Sequence, residues 1–195
     1  VALRPDYVTL AEFKAWLRID VDDTTDDDEL ERHITSASRA VDKHCNRQFG
    51  LAPAPVEYIP EAWGRDECGR WLASIPDLMT TVGLVVTSDG TTIDTTGWTL
   101  TPRNAALDGL PWTGIRIDGG AGRDLSVTGQ WGWTEVPVPV KEATMLQASR
   151  FGIRRDSPFG IAGSPDAGNE LRLLARVDPD VAVSLTGLVR PGRPA

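Results

Sequence analysis

Four carboxylates between Asp20 and Glu31 are spaced as a calcium ligand set would be. Asp20, Asp22, Asp28 and Glu31 take the first, third, ninth and twelfth places of a loop between two helical patterns. The sixth place, where such a loop needs glycine for its sharp turn, is Thr25, and Asp27 stands where an apolar residue is usual. The acidic run is therefore read as a helix N-terminus, where negative charge complements free N–H groups, and no metal is assigned. His33, His44, Cys45 and Cys68 are the remaining soft ligands. His33 and His44 are too far apart to converge from one helix turn, and His44 and Cys45 are adjacent, so no zinc site is assigned either. No glycine-rich phosphate loop precedes a helix, no G-x-S-x-G elbow occurs, and no carboxylate is set apart by spacing or by an apolar setting. The expectation is a protein with no catalytic residue, no cofactor-binding residue and no cofactor.

Seven tryptophans are many for a chain of 195 residues. Trp131 and Trp133 flank Gly132 and would share one face of a strand, where paired indoles can stack on sugars or bases. Packing in a core or a subunit interface is the commoner use of such residues. Arg150, Arg154 and Arg155 gather at the C-terminal end of a helical pattern, where the dipole favours cations. With the two tryptophans they are candidates for contact with a neighbouring subunit or a partner.

The elements that must position these residues follow from periodicity. Leu30, Ile34, Ala37, Val41, Cys45 and Phe49 recur at spacings of three and four, which predicts a helix from Asp26 to Phe49. Glu31, Arg32, Arg39, Asp42 and Arg47 fall off that stripe. At 1.5 Å per residue such a helix is ~36 Å long and needs apolar partners along its length. Thr9 and Glu12 form a capping box that opens a shorter helix carrying Leu10, Phe13 and Leu17 and ending near Ile19, while Val1–Tyr7 is read as an arm. From Gly50 the helical period disappears. Val56–Ile59, Val82–Thr87, Trp98–Thr101, Gly114–Ile117 and Leu125–Trp131 read as short strands, with turn chemistry at Ser88–Gly90 and Asp118–Gly120. Pro137 and Pro139 suit the first turn of a third helix reaching about Arg154, with Val140, Ala143, Thr144, Gln147 and Phe151 along one side. Residues 157–169 read as a loop, Glu170–Arg176 as a short helix and Asp178–Ala195 as a tail. In that tail Val181, Val183 and Leu185 alternate as a strand would, whereas Val181, Leu185 and Leu188 fit a helical stripe; both conformations stand.

The expected fold is α+β: a helical bundle with a small antiparallel β insertion between the second and third main helices. Its divisions are an N-terminal helical hairpin (1–50), a β-rich insertion (51–135), the remaining helices and loop (136–177) and a C-terminal arm (178–195). A net charge of −8 argues against non-specific binding to nucleic acid. The charge is uneven, since residues 1–60 hold 7 basic and 12 acidic side chains and residues 141–195 hold 8 and 6. No apolar run approaches a membrane span and no signal-peptide pattern opens the sequence given, so no membrane role is expected. Two cysteines, one on the apolar stripe, make no disulfide framework and suit a reducing compartment.

Four segments, in order, carry a resemblance. Tyr7-Val-Thr-Leu-Ala-Glu-Phe-Lys-Ala-Trp-Leu-Arg18 is followed by Asp27-Asp-Glu-Leu-Glu31 at the head of a long helix. Gly132-Trp-Thr-Glu-Val-Pro-Val-Pro-Val-Lys-Glu-Ala143 leads on to Arg154-Arg-Asp-Ser-Pro158, and Asp178-Pro-Asp-Val181 closes the series. Together they resemble the head–tail connector (adaptor, head-completion) proteins of tailed bacteriophages. The tail departs from that pattern, with Leu188-Val-Arg-Pro191 in place of an aromatic residue followed by arginines. The resemblance implies a structural virion protein forming a ring, usually of twelve subunits, that joins the portal to a stopper or tail-completion protein. It also implies a channel that encloses DNA without binding it specifically, and a place at the head–tail interface after assembly in the host cytoplasm. On this reading Asp178, Pro179, Asp180, Val181, Val183, Leu185, Leu188 and Arg190 make a portal-docking arm. The rival readings are a carbohydrate-binding module built on Trp131 and Trp133, and a hydrolase with its site in the acidic loop.

Overall fold

The computed structural model describes residues 5–61, 63–118, 124–156, 161–162, 171–172 and 179–190. Its chain divides into two compact units, one formed by Gly50–Glu135 and the other by Pro5–Phe49 with the described residues from Val136 on.

The helical unit is built on the expected periodicity. Helix α1 (Leu10–Leu17) opens with the capping box: Thr9 Oγ1 accepts from the Glu12 N–H at 3.2 Å and Glu12 Oε2 accepts from the Thr9 N–H at 2.8 Å. Helix α2 (Asp27–Cys45) buries Leu30, Ile34, Ala37, Val41 and Cys45, the stripe read from the sequence. It is shorter than expected because Asn46 adopts the left-handed conformation at φ 50° and turns the chain away, a position asparagine tolerates. Phe49 stays buried without being helical, packed edge-on to Tyr7 at 5.7 Å between ring centroids. Helix α3 (Val138–Asp156) packs along α2 and buries Val140, Ala143, Thr144, Gln147 and Ala148. Val8, Phe13, Leu30, Ile34, Ala37 and Ala148 form the core of this end of the unit.

The Val1–Tyr7 arm is corrected by the structure at its C-terminal end, where Tyr7 and Val8 are buried. A lone aromatic has no period to betray it; hydrogen bonds anchor this one. Its backbone N–H reaches Ser38 Oγ at 3.2 Å, its hydroxyl donates to Asp42 Oδ1, and the same oxygen accepts from the Phe49 N–H at 2.9 Å.

The β unit holds two four-stranded antiparallel sheets. Strands β1 (Val56–Tyr58), β2 (Trp63–Arg65), β3 (Trp71–Leu78), β4 (Val85–Ser88), β5 (Thr91–Thr92), β6 (Trp98–Thr101), β7 (Trp112–Ile117) and β8 (Leu125–Gly129) are ordered β1-β8-β4-β5 in one sheet and β2-β3-β7-β6 in the other. Ala73, Ile75 and Leu78 of β3, Leu100 of β6, Ile115 and Ile117 of β7, Val86 of β4 and Leu125 and Val127 of β8 form a single apolar cluster with Trp131, so both sheets share one core. This overturns the expected helical bundle with a small β insertion. The chain is α+β, with two sheets of four strands beside four α-helices among the described residues. Three strands had no reading. The most consequential is β3, whose register shifts between Ser74 and Leu78 around Pro76, a residue that lacks the N–H a regular ladder would use.

Two further expectations change. Of the loop expected at 157–169 and the short helix expected at 170–176, only Ile161–Ala162 (β9) and Leu171–Arg172 (β10) are described, and these pair antiparallel as strands; the rest of both expectations lies outside the described residues. The tail takes the helical of its two alternatives: α4 (Pro179–Leu185) continues into a 3₁₀ turn, Thr186–Leu188.

Candidate functional site

The acidic loop encloses a cation, but the cation is part of the chain. Lys14 lies on the buried side of α1, four residues after Leu10 and three before Leu17, and is only 3% exposed. Its ammonium donates to the carbonyl oxygens of Val21 at 3.3 Å and Asp23 at 2.8 Å and pairs with Asp27 Oδ1. A buried ammonium with three oxygen partners is satisfied, and the loop wraps around it. The other carboxylates are turned to local work. Asp20 Oδ1 accepts from the Asp22 N–H and Asp23 Oδ1 from the Thr25 N–H and hydroxyl, which holds the Asp23 carboxyl below its ordinary range. Asp26 at the N-cap of α2 makes no side-chain cap, so the first turn keeps its negative charge through Asp27, Asp28 and Glu29. Among the described residues no group of three His, Cys, Asp or Glu side chains is placed to hold a metal ion. Lys14 was missed as an organiser, although its place inside an apolar stripe was the available signal.

The tryptophan pair is internal. Trp131 is 7% exposed and Trp133 is 3% exposed, and their indole N–H groups donate to the Val56 carbonyl at 2.7 Å and to Asp77 Oδ2 at 2.9 Å. Strand β8 ends at Gly129, so the pair lies beyond it, with Gly132 at φ 115° between the two indoles. A Cβ there would lie 1.8 Å from the Gly50 carbonyl oxygen. Neither ring offers an open face for a sugar, so the platform that the carbohydrate-binding alternative needs is not there.

Arg150 is half-buried in α3, and Arg154 and Arg155 sit in the last turns of the same helix with side chains outside the described set. Of the arm residues, Asp178 lies outside the described residues, and Pro179 and Asp180 begin α4. Val181 and Leu185 are buried beside Ala40, Val41, His44 and Gln147, and the Arg190 N–H donates to the Cys45 carbonyl at 2.8 Å. Burial also pushes the Cys45 thiol up to about 11, as expected of a small core residue. Val183 faces out at 74% exposure, while Leu188 is half-buried. The structure thus brings the arm onto its own helical unit and leaves Val183 for other contacts. Helix α1 is tied to α3 by Lys141 Nζ and Glu12 Oε1 at 2.9 Å. The Thr9 N–H first, and Lys141 second, hold the Glu12 carboxyl at about 2.

Residues 7–64 match the family model of the phage gp6-like head-tail connector protein. The motifs at Tyr7–Arg18 and Asp27–Glu31 lie inside that stretch, so the resemblance read from them is the one the family model finds. Two solved structures share the fold. A chain of the neck of an empty gene transfer agent (GTA) particle, computed with C6 symmetry, is 19% identical with a TM-score of 0.55 and covers 91% of this chain and 97% of that one. A chain of the virion of a native GTA particle is 20% identical with a TM-score of 0.50 and the same two coverages, 91% and 97%. No curated protein matches the chain.

Proposed function

We propose that this chain is a structural connector subunit of a phage-like virion, placed at the neck where head meets tail. The observation that carries the reading is the family match over residues 7–64, which takes in α1, the Lys14-centred loop and α2. The shared fold with chains of GTA particles over nine-tenths of the sequence supports it. On this reading about a dozen copies form a ring, an order compatible with the six-fold symmetry used for the GTA neck. The ring stands between the portal and a stopper or tail-completion protein. DNA passes through it without specific contact, as a net charge of −8 favours. The protein acts by shape and assembly, with no reaction and no cofactor.

The portal contact is assigned to the C-terminal segment from Asp178 to Arg190. Since Val181 and Leu185 are already buried in the helical unit, the outer face of α4 at Val183 is the surface it would use. Arg150, Arg154 and Arg155, at the far end of α3, are assigned to contacts between subunits. Imaging the chain alone and mixed with portal rings tests the reading: rings stacked coaxially on the portal are expected. Heads that take tails normally without the chain would overturn it.

A further inference from the structure

The sheet ordered β2-β3-β7-β6 has β2 and β6 as its edges. Which backbone groups point outward from them follows from the ladder. The Asp118 N–H donates to the Gly97 carbonyl at 2.9 Å, in register with Thr99↔Arg116 and Thr101↔Gly114. In β6, therefore, Thr99 and Thr101 bond to β7, while the N–H and C=O groups of Trp98 and Leu100 face away. The Asp66 N–H donates to the Arg70 carbonyl at 2.8 Å, in register with Gly64↔Leu72. In β2 the outward residues are by the same rule Trp63 and Arg65. Among the described residues no hydrogen bond reaches these outward backbone groups.

Strand β6 is also unguarded. Exposed edges are normally blunted by charge, proline, a bulge or shortness. In the other sheet β1 carries Glu57, and its Val56 carbonyl is taken by Trp131 Nε1 at 2.7 Å. Strand β5 has two residues, and β2 has three with an exposed Arg65 among them. Strand β6 reads Trp98-Thr-Leu-Thr101, with no charge, no proline and an unbroken register against β7. Tryptophan and threonine favour strands. Such an edge is a template for one more strand.

We infer that β6 of one copy pairs antiparallel with β2 of the next, Trp98 with Arg65 and Leu100 with Trp63, so that this sheet runs on from subunit to subunit. This rests on the ring-forming reading above and adds the strands that join its subunits. Direction, register and face select β2 of a second copy as the occupant. Each strand of the sheet is antiparallel to its neighbour, so β6 and β2 run in opposite directions. A copy carried on by a ring's rotation presents β2 antiparallel to β6, with its core side on the same face. The outward residues are spaced by two on both strands, so both pairs form together and Thr99 stands opposite Gly64. Pairing of β6 with β6 would also satisfy the edge, but a two-fold contact closes at two copies, whereas a ring needs a different edge on each side. At ~4.8 Å between strands, the sheet spans ~19 Å per copy and about a dozen copies span ~230 Å, a circle of ~37 Å radius that encloses an open channel.

Full-length protein in a Cys68→Ser background tests it, with and without portal rings. Thr99 and Gly64 would face each other as a non-hydrogen-bonded pair with Cα atoms ~4.5 Å apart, within disulfide reach. A Cβ at Gly64 meets nothing within 4 Å, so a side chain is accommodated there. Thr99→Cys chains and Gly64→Cys chains, mixed and mildly oxidised, should give a disulfide-linked dimer that neither variant gives alone. The double variant should give a series of linked oligomers ending in a closed ring. Arg65→Pro removes an outward N–H that the β2–β3 ladder does not use, a change edge strands tolerate. It should weaken self-association about tenfold or more with an unchanged melting temperature. A disulfide-linked dimer from Thr99→Cys alone would mean that β6 pairs with itself, and would overturn the junction. So would the absence of a mixed disulfide, or full self-association of Arg65→Pro, and rings on the portal would then leave the connector reading intact. Wild-type protein that neither self-associates nor binds portal would sink both.

Discussion

Gly132 has a backbone no L-residue adopts readily, at φ 115°, and its Cα faces the Gly50 carbonyl with no room for a methyl group. The two constraints act together, since relieving the clash would pull Trp133 from Asp77 and break the 2.6 Å bond from the Gly132 N–H to the Asp77 carbonyl. Gly132→Ala is expected to cost roughly 3 kcal/mol or more, read as a shift in urea midpoint. Lys14 is the second such residue. Lys14→Met keeps the buried stem but strips the Val21 and Asp23 carbonyls of their donor, and a loss of about 2 kcal/mol is expected. Glu12 gives a pH signature. Its carboxyl is lowered from 4.5 to about 2, so the stabilisation is present above the unfolded-state value and is lost as pH falls from about 4.5 towards 2. Because both partners are well exposed, the effect is modest, under ~1 kcal/mol. Melting temperatures of the wild type and Glu12→Gln should differ most near neutral pH and converge near pH 2; a constant gap would remove the charge from the explanation.

The helices were legible because their period is long and redundant. Leu30, Ile34, Ala37, Val41 and Cys45 each testify to one face, and the error at Phe49 came from Asn46, a single residue able to turn the chain. The strands were legible only where alternation was clean, as in Leu125, Val127 and Gly129 of β8. In β3 the buried positions alternate, but they hold Ala73 and Asp77 beside Ile75 while Leu72 faces outward, so the longest strand of its sheet showed no apolar period in its residue types. In the acidic loop the role of Lys14 was not legible for a related reason: spacing shows which carboxylates are near each other, not which cation is already among them. Helix α4 was left between two conformations because a helix this short owes its stability to tertiary contacts. Those contacts yield a paired prediction. Leu185→Ala should destabilise the helical unit by about 2–4 kcal/mol. Val183→Asp should change stability by less than about 0.5 kcal/mol while reducing portal binding. Equal stability losses for both would mean that the outer face of α4 is also covered within the subunit.

Each unit carries its own apolar cluster, one centred on Ile75, Ile115 and Val127 and the other on Phe13, Ile34 and Ala37. We expect that replacing residues 50–135 with a short Gly/Ser linker leaves helical circular dichroism and a cooperative melt. Loss of all folded signal would mean that the helical cluster does not suffice without the sheets. Two large apolar side chains stand well exposed, Val183 on α4 at 74% and Leu107 between β6 and β7 at 86%. Only the first was singled out from the sequence. Leu107 sits in a segment with no period, where nothing but three-dimensional exposure marks it.

The position of the β unit between α2 and α3 sets an order of events on the ribosome. Helix α2 finds its main partner in α3, yet every residue of the β unit is synthesised between them. The apolar stripe of the nascent α2 must therefore wait, open to chaperones or to another chain's α2, while the sheets form. Collapse of the sheets shortens the tether between the two helices and lowers the loop-closure entropy of their meeting. The sheets would thus act as an early folding nucleus for the helical unit they interrupt, and α4, emerging last, would close it.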